Sequence, residues 1–219
     1  LAIHGWGVDH RLMSGCLEPV FERSSLQVRR HYVDLPGMGR SPGSDLMSGS
    51  DDMVDILENY IDERFPGTPF LLAGESYGGY LSRELVRRRK RMIRGVFLIC
   101  TAFRPFIKTD LGMDKGDVPE PRVIESDEAF MATLSEKNRN MFDFMAVRRT
   151  RDAWIRYERD VLPGIEAADQ EFLSNRLSRY PQLSVDPDVI GAPFEGPSLI
   201  LAGRQDSTAG YRDIWNVLE

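Results

Sequence analysis

The feature that most constrains this chain is the pentapeptide Gly74-Glu75-Ser76-Tyr77-Gly78. It follows the short apolar run Phe70-Leu71-Leu72-Ala73 and precedes a helical pattern that extends to about Lys90. A G-x-S-x-G sequence at a strand-to-helix junction demands a turn so tight that the serine takes strained backbone angles and its flanking positions tolerate no bulk. The hydroxyl is thereby lifted above the end of the strand. The N-terminus of the following helix points at the same spot and favours negative charge there. A glycine-rich turn with a bystander serine is the plain alternative, and the strand–turn–helix context argues against it.

The rest of the chain keeps the same rhythm for half its length. Residues 1–3 read as the tail of a buried strand that runs into His4-Gly5-Trp6-Gly7, and residues 9–21 as a helix. Residues 27–33 read as a strand ending in Asp34-Leu35-Pro36-Gly37-Met38-Gly39-Arg40-Ser41, a turn-rich loop. Ser50 and Asp51 are N-cap candidates for a helix through Arg64, stopped by Pro66-Gly67, and residues 96–100 form another buried strand. Short apolar strands alternating with helices predict a mostly parallel sheet covered on both faces. From residue 103 to about 192 the alternation stops and no strand is expected. Residues 113–121 read as a loop, and residues 127–147 and 150–180 as long helices, the second broken at Pro163-Gly164. Strand character returns at 198–202, followed by Gly203-Arg204-Gln205-Asp206 and a helix from about Ala209. The expected division is an α/β core of residues 1–102 and 193–219, interrupted by a helical insertion of residues 103–192.

In such sheets chemistry gathers at the carboxyl ends of the strands. A nucleophilic serine acting on a carbonyl needs two N–H donors aimed at the oxyanion, and losing one costs on the order of 10²–10³ in rate. The glycine-flanked loop at Trp6 and the residue after the serine, Tyr77, are the candidates, their backbone N–H groups being the donors. His4 reads as a structural histidine bonding that loop. The serine also needs a histidine base, and the histidine a carboxylate that orients it. Asp206 lies at the right strand end and in the chain order serine, acid, histidine; a plain helix N-cap is its alternative role. Asp34 reads as a carboxylate that braces the loop through Arg40 and Ser41. The aromatic and sulfur side chains Phe103, Phe130, Phe142, Met145 and Trp154 are candidates for a substrate pocket, although packing among the helices will claim most of them.

Composition narrows the rest. The 219 residues carry 28 basic and 34 acidic side chains, a net charge of −6, which argues against a nucleic-acid partner. No apolar run approaches the roughly 18 residues of a membrane span. Two cysteines, Cys16 and Cys100, make no disulfide framework, and no Cys/His cluster has zinc-ligand spacing, so a reduced, cytoplasmic setting is expected and neither metal nor organic cofactor is called for. The basic run 87–91 reads as the last turn of a helix, where cations complement the dipole. Cys100 reads as a buried strand residue.

Together, His4-Gly5-Trp6-Gly7, the Asp34–Ser41 loop, Gly74-Glu75-Ser76-Tyr77-Gly78-Gly79 and Gly203-Arg204-Gln205-Asp206 resemble the α/β-hydrolase superfamily, in its serine branch with a helical cap. The resemblance implies Ser76 as nucleophile, Asp206 as triad acid, Trp6 and Tyr77 as oxyanion donors, and residues 103–192 as the cap. It implies an eight-stranded sheet of which this chain holds strands three to seven, and a small-molecule ester or related carbonyl substrate met by a monomer or homodimer. The terminal strands and last helix are expected outside residues 1–219, since the chain opens on Leu1 and stops inside a helical pattern. The family's catalytic histidine is expected there too, beyond Glu219, because His4, His10 and His31 all stand elsewhere. Carbon–carbon-bond hydrolysis of meta-cleavage products is an alternative, with Arg104 or Arg148 as a carboxylate-binding cation. A catalytically inactive ligand-binding relative is the other.

Overall fold

Buried parallel strands read as short apolar runs, and Phe70–Glu75 and Ile93–Ile99 are the two longest strands among the described residues. The computed structural model describes residues 1–102, 122–185, 193–209 and 211. Its main sheet contains β1 (Ala2–Ile3), β2 (Tyr32–Val33), β3 (Phe70–Glu75), β4 (Ile93–Ile99) and β7 (Ser198–Leu201) in the order β2-β1-β3-β4-β7. Every pairing is parallel, with Ile3 opposite Gly74, Glu75 opposite Ile99 and Ile99 opposite Leu201. This register lines up the carboxyl ends of β1, β3, β4 and β7. The loops that follow Ile3, Glu75, Ile99 and Leu201 therefore emerge side by side.

Helices α1 (His10–Phe21), α2 (Ser50–Arg64) and α3 (Ser76–Arg89) connect these strands. Asp9 caps α1 through the backbone N–H of Arg11. At α2 the N-cap is Gly49, not Ser50 or Asp51: Asp52 reaches back to the N–H groups of Ser48 and Gly49. That arrangement frees the Ser50 hydroxyl for a buried link to the Tyr77 hydroxyl at 2.8 Å and to the Pro181 carbonyl at 2.7 Å. The main core packs Ile3, Leu35, Met53, Leu57, Ile61, Leu72, Leu81 and Leu85 between sheet and helices. The basic residues Arg87, Arg88 and Arg89 do more than end a helix. Arg87 pairs with Glu84 on its own helix, Arg88 bridges Glu84 to Asp55 and Glu58 on α2, and Arg89 binds Glu58 and Asp62.

The segment expected to be purely helical contains a short parallel pair, β5 (Glu125–Ser126) with β6 (Arg148–Arg149), separate from the main sheet. Its helices are shorter than the periodicity suggests: α4 (Glu128–Met131), α5 (Glu136–Met145), α6 (Arg151–Asp160), α7 (Leu162–Ala167) and α8 (Gln170–Asn175). The breaks have a local cause. Asp127 and Thr150 cap the starts that were expected, and Ser135 and Asp169, which likewise accept a backbone N–H three residues ahead, start additional helices within the two stretches. Residues 127–162 form their own apolar cluster of Phe130, Met131, Phe142, Trp154, Tyr157 and Leu162. Residues 172–183 instead join the main core through Phe172, Leu173, Leu177 and Leu183. Strand β2 is shorter than the expected 27–33, because residues 27–30 are exposed and unpaired in the sheet. The helix expected from Ala209 lies outside the described residues.

Candidate active site

The turn between β3 and α3 behaves as its sequence requires. Ser76 takes φ 48°, one of two non-glycine residues in the left-handed region among those described. Such a conformation costs on the order of 1–3 kcal/mol and persists only where its surroundings enforce it. The enforcement is visible. A methyl group built on Gly74 would lie 2.5 Å from the Gly78 carbonyl oxygen and closer still to the Ser82 hydroxyl. One built on Gly78 would collide with the carbonyls of Ile3 and His4. One built on Gly79 would meet the Thr101 side chain. Glycine is thus required at these positions by close approach, of backbone at Gly78, of the Thr101 side chain at Gly79 and of both kinds at Gly74, and α3 sits tight against the end of β1. Ser76 itself is only partly buried.

The loop after β1 lies against this turn. Trp6 and Tyr77, the predicted oxyanion pair, are neighbours, their rings 5.2 Å apart and edge to face. The loop is braced by His4, which is fully buried. Its Nε2 accepts the Leu35 N–H at 3.0 Å, which leaves Nδ1 to donate to the Gly5 carbonyl at 2.7 Å. Burial holds His4 below the ordinary histidine range, consistent with a neutral, structural ring. Asp34 braces the neighbouring loop as its sequence suggested. It accepts the N–H groups of His10 (2.8 Å) and Arg40 (3.0 Å) and the His10 ring Nδ1 (2.8 Å), while its backbone carbonyl accepts the Ser41 hydroxyl. Burial pushes the Asp34 carboxyl upward, but these hydrogen bonds outweigh it and leave it below its ordinary value.

Asp206 follows β7 and its N–H returns to the Gly203 carbonyl at 3.1 Å. One carboxylate oxygen accepts the N–H groups of Thr208 and Ala209, both at 2.9 Å. The same carboxylate faces two further groups. It hydrogen-bonds the Cys100 thiol, which burial and this carboxylate push up to about 11. It also acts on Glu75, which the sequence reading passed over as the variable residue of the motif. Burial pushes the Glu75 carboxyl up to about 8, opposed by a hydrogen bond from the Gly5 N–H and aided by the charge of Asp206. Cys100 is the second residue in the left-handed region, at φ 43°. Strained residues thus end both β3 and β4, and the Ala102 N–H closes the gap by donating to the Ser76 carbonyl at 3.1 Å.

The expected pocket residues divide. Phe130, Phe142 and Trp154 are 5%, 2% and 6% exposed and pack against one another, with the Phe142 and Trp154 rings edge to face at 5.4 Å. They belong to the apolar cluster that packs these helices together. Met145 is exposed, and Phe103 and Arg104 lie outside the described residues. Arg148 is exposed and paired with Glu125 at 2.6 Å. His31 bonds the Tyr60 hydroxyl at 2.9 Å and rests edge-on against Phe65. Asp9, His10 and Asp34 bring ligand-type atoms within 4.8 Å of one another, but each is already engaged, Asp9 by Arg11 and the other two by each other. An apolar groove of about 800 Å³ lies toward the amino-terminal ends of the strands, where it is lined by Leu71, Phe97 and Leu199, away from Ser76.

A family profile described as "Alpha/beta hydrolase family" matches residues 1–216. The chain belongs to that family. Solved α/β hydrolases share its architecture. An alpha/beta superfamily hydrolase from Oenococcus oeni superposes with a TM-score of 0.83 at 26% identity, covering 100% of this chain and 78% of that one. A meta-cleavage product hydrolase from Pseudomonas fluorescens aligns with a TM-score of 0.56 at 18% identity over 99% of this chain and 75% of that one, a likeness of fold alone. Among curated relatives, a pimeloyl-[acyl-carrier protein] methyl ester esterase of Shewanella woodyi is 34% identical over 100 residues, 46% of this chain. The matched stretch spans about a third (34%) of that relative's length. No described helix of this hydrolase-family chain is long and apolar enough to cross a membrane.

Proposed function

We propose that this chain carries the nucleophile, the triad acid and the oxyanion donors of a serine hydrolase that cleaves an ester through an acyl-enzyme. The observation that carries the reading is Ser76 held at φ 48° at the end of β3 by a cage of glycines. In this reading the Ser76 Oγ attacks the ester carbonyl and passes its proton to a histidine base, proposed to lie beyond Glu219. Asp206 orients that histidine and stabilises its imidazolium form. The N–H groups of Trp6 and Tyr77 receive the oxyanion. The N–H of Tyr77 suits this role because the first N–H groups of a helix have no partner within it. The tetrahedral adduct collapses, the alcohol leaves with the proton from the histidine, and water releases the acid by the same steps. The helical segment 103–192 is proposed as the cap above the site. The esterase names of the relatives favour an ester over a carbon–carbon bond. So does the pairing of Arg148 with Glu125, which leaves that cation engaged.

The test is labelling of the full-length protein with a fluorophosphonate, followed by peptide mapping. The label is expected on the peptide containing Ser76, and Ser76→Ala is expected to lose both labelling and hydrolysis of short p-nitrophenyl esters while melting normally. A label on another residue, or hydrolysis retained by Ser76→Ala, would overturn the assignment.

A further inference from the structure

Glu75 stands directly before the nucleophile, at the last position of β3. Its carboxyl lies against the loop after β1. The clearest sign is at Gly5. A methyl group built there would strike the Glu75 carboxyl oxygen and lie 3.1 Å from the Ser76 Cβ. The Gly5 backbone N–H acts on that carboxyl and favours its charged form, against the effect of burial. Gly5 is the residue before Trp6, so the carboxyl grips the oxyanion loop one peptide away from the proposed donor. We propose that Glu75 is a positioning residue whose carboxyl group ties the Gly5–Trp6 loop to the nucleophile turn.

The surroundings favour the uncharged form of this carboxyl. Asp206 faces Glu75 from the loop after β7, the Cys100 thiol from the end of β4 and the Cys16 thiol from α1, with Arg156 of α6 acting on Cys16. A second full carboxylate charge here would repel Asp206. It would also sit next to the spot where the transition state places a negative oxygen, and a like charge beside a developing oxyanion opposes catalysis. As an acid, Glu75 keeps a carbonyl oxygen to accept the Gly5 N–H and a proton to donate. Glutamine reproduces both properties and cannot ionise. Burial and the Asp206 charge together push the Glu75 carboxyl up to about 8, within reach of ordinary assay conditions.

This inference rests on the serine-hydrolase reading, so one arm of its test is independent of activity. For a group whose folded-state pKa is raised, the stability it contributes is present below the ordinary carboxylate value and is lost as pH rises through the folded-state value. Urea unfolding of wild type and Glu75→Gln, compared from about pH 5 to about pH 9, is therefore expected to show wild type losing ground steadily to the variant. In the activity arm, wild-type kcat/KM is expected to fall about tenfold per pH unit above the Glu75 midpoint, and Glu75→Gln to lack that alkaline fall whatever its absolute rate. Glu75→Ala, which has no group for Gly5, is expected to lose kcat more than KM across the whole range, and Gln to rescue it. An unfolding difference that does not change with pH, or the same alkaline fall in Glu75→Gln as in wild type, would overturn the proposal. A Ser76→Ala enzyme that still hydrolyses ester would instead bring down the underlying function.

Discussion

Gly78→Ala separates the geometric argument from the chemistry. Gly78 lies in the first turn of α3, where alanine has the higher helix propensity, by at most about 1 kcal/mol. Propensity alone therefore predicts a small gain. Packing predicts the opposite. The added methyl would fall 2.7 Å from the Ile3 carbonyl carbon and nearer to the carbonyl oxygens of Ile3 and His4. These are backbone atoms of a strand end and cannot rotate away, so α3 must retreat by about half an ångström, at a cost near the upper end of the roughly 1–3 kcal/mol of overpacking. The net loss is about 2 kcal/mol, or roughly 4–8 °C in Tm for a chain of this size. The same retreat separates Tyr77 from the Trp6 loop. Since a misplacement of about 1 Å costs about 10²-fold, ester hydrolysis by the full-length protein is expected to fall at least about tenfold. Gly67→Ala is the control. It has φ +65° with nothing within 4 Å, so it is expected to lose about 1 kcal/mol through conformation alone and no activity. A Gly78→Ala protein that melts and turns over like wild type would refute the steric reasoning.

Three further outcomes are expected. Asp34→Asn loses a charged acceptor of three hydrogen bonds and is expected to cost about 1–3 kcal/mol near neutral pH. Because the folded Asp34 carboxyl sits below its ordinary value, its contribution is present above that value and is lost as pH falls through the lower folded-state one; chemical denaturation should show the two proteins converging in acid. Phe172→Ala empties the space between Gly37 and Gly43 and is expected to lower stability by about 3–5 kcal/mol, read from urea midpoints. Ser50→Ala leaves the buried Tyr77 hydroxyl without its 2.8 Å partner and is expected to cost about 1–3 kcal/mol in the same assay.

The nucleophile turn was legible because everything it needs is local: an apolar strand, glycines of defined spacing and a helix start. The same holds for the bracing roles of His4 and Asp34, each next to a turn-rich loop. What was not legible depends on distant partners. The strand order β2-β1-β3-β4-β7 has no signature in a single segment. The bridging of the α3 arginines to α2 required knowing that the two helices are neighbours, although the acids Asp55, Glu58 and Asp62 at helical spacing carried half of that signal. The helices over 127–147 and 150–180 are interrupted because Ser135 and Asp169 are capping residues, a local signal that apolar periodicity overrides. Glu75 was missed because a motif written with a blank invites the reader to skip it. Its signal was a carboxylate at the buried end of a strand, where an acidic side chain needs a reason to be.

The separate packing of Phe130, Phe142 and Trp154 from the sheet-borne core has an evolutionary corollary. Side chains in the upper cluster can be exchanged in concert without unsettling Leu72, Leu81 or Leu85 beneath the nucleophile. The buried residues of 172–183 have less freedom, because the backbone there is linked to Tyr77 through Ser50 and Pro181 and to Tyr80 through Leu183. Diversification in related chains is therefore expected to concentrate in α4 to α6 and to thin out abruptly at α8.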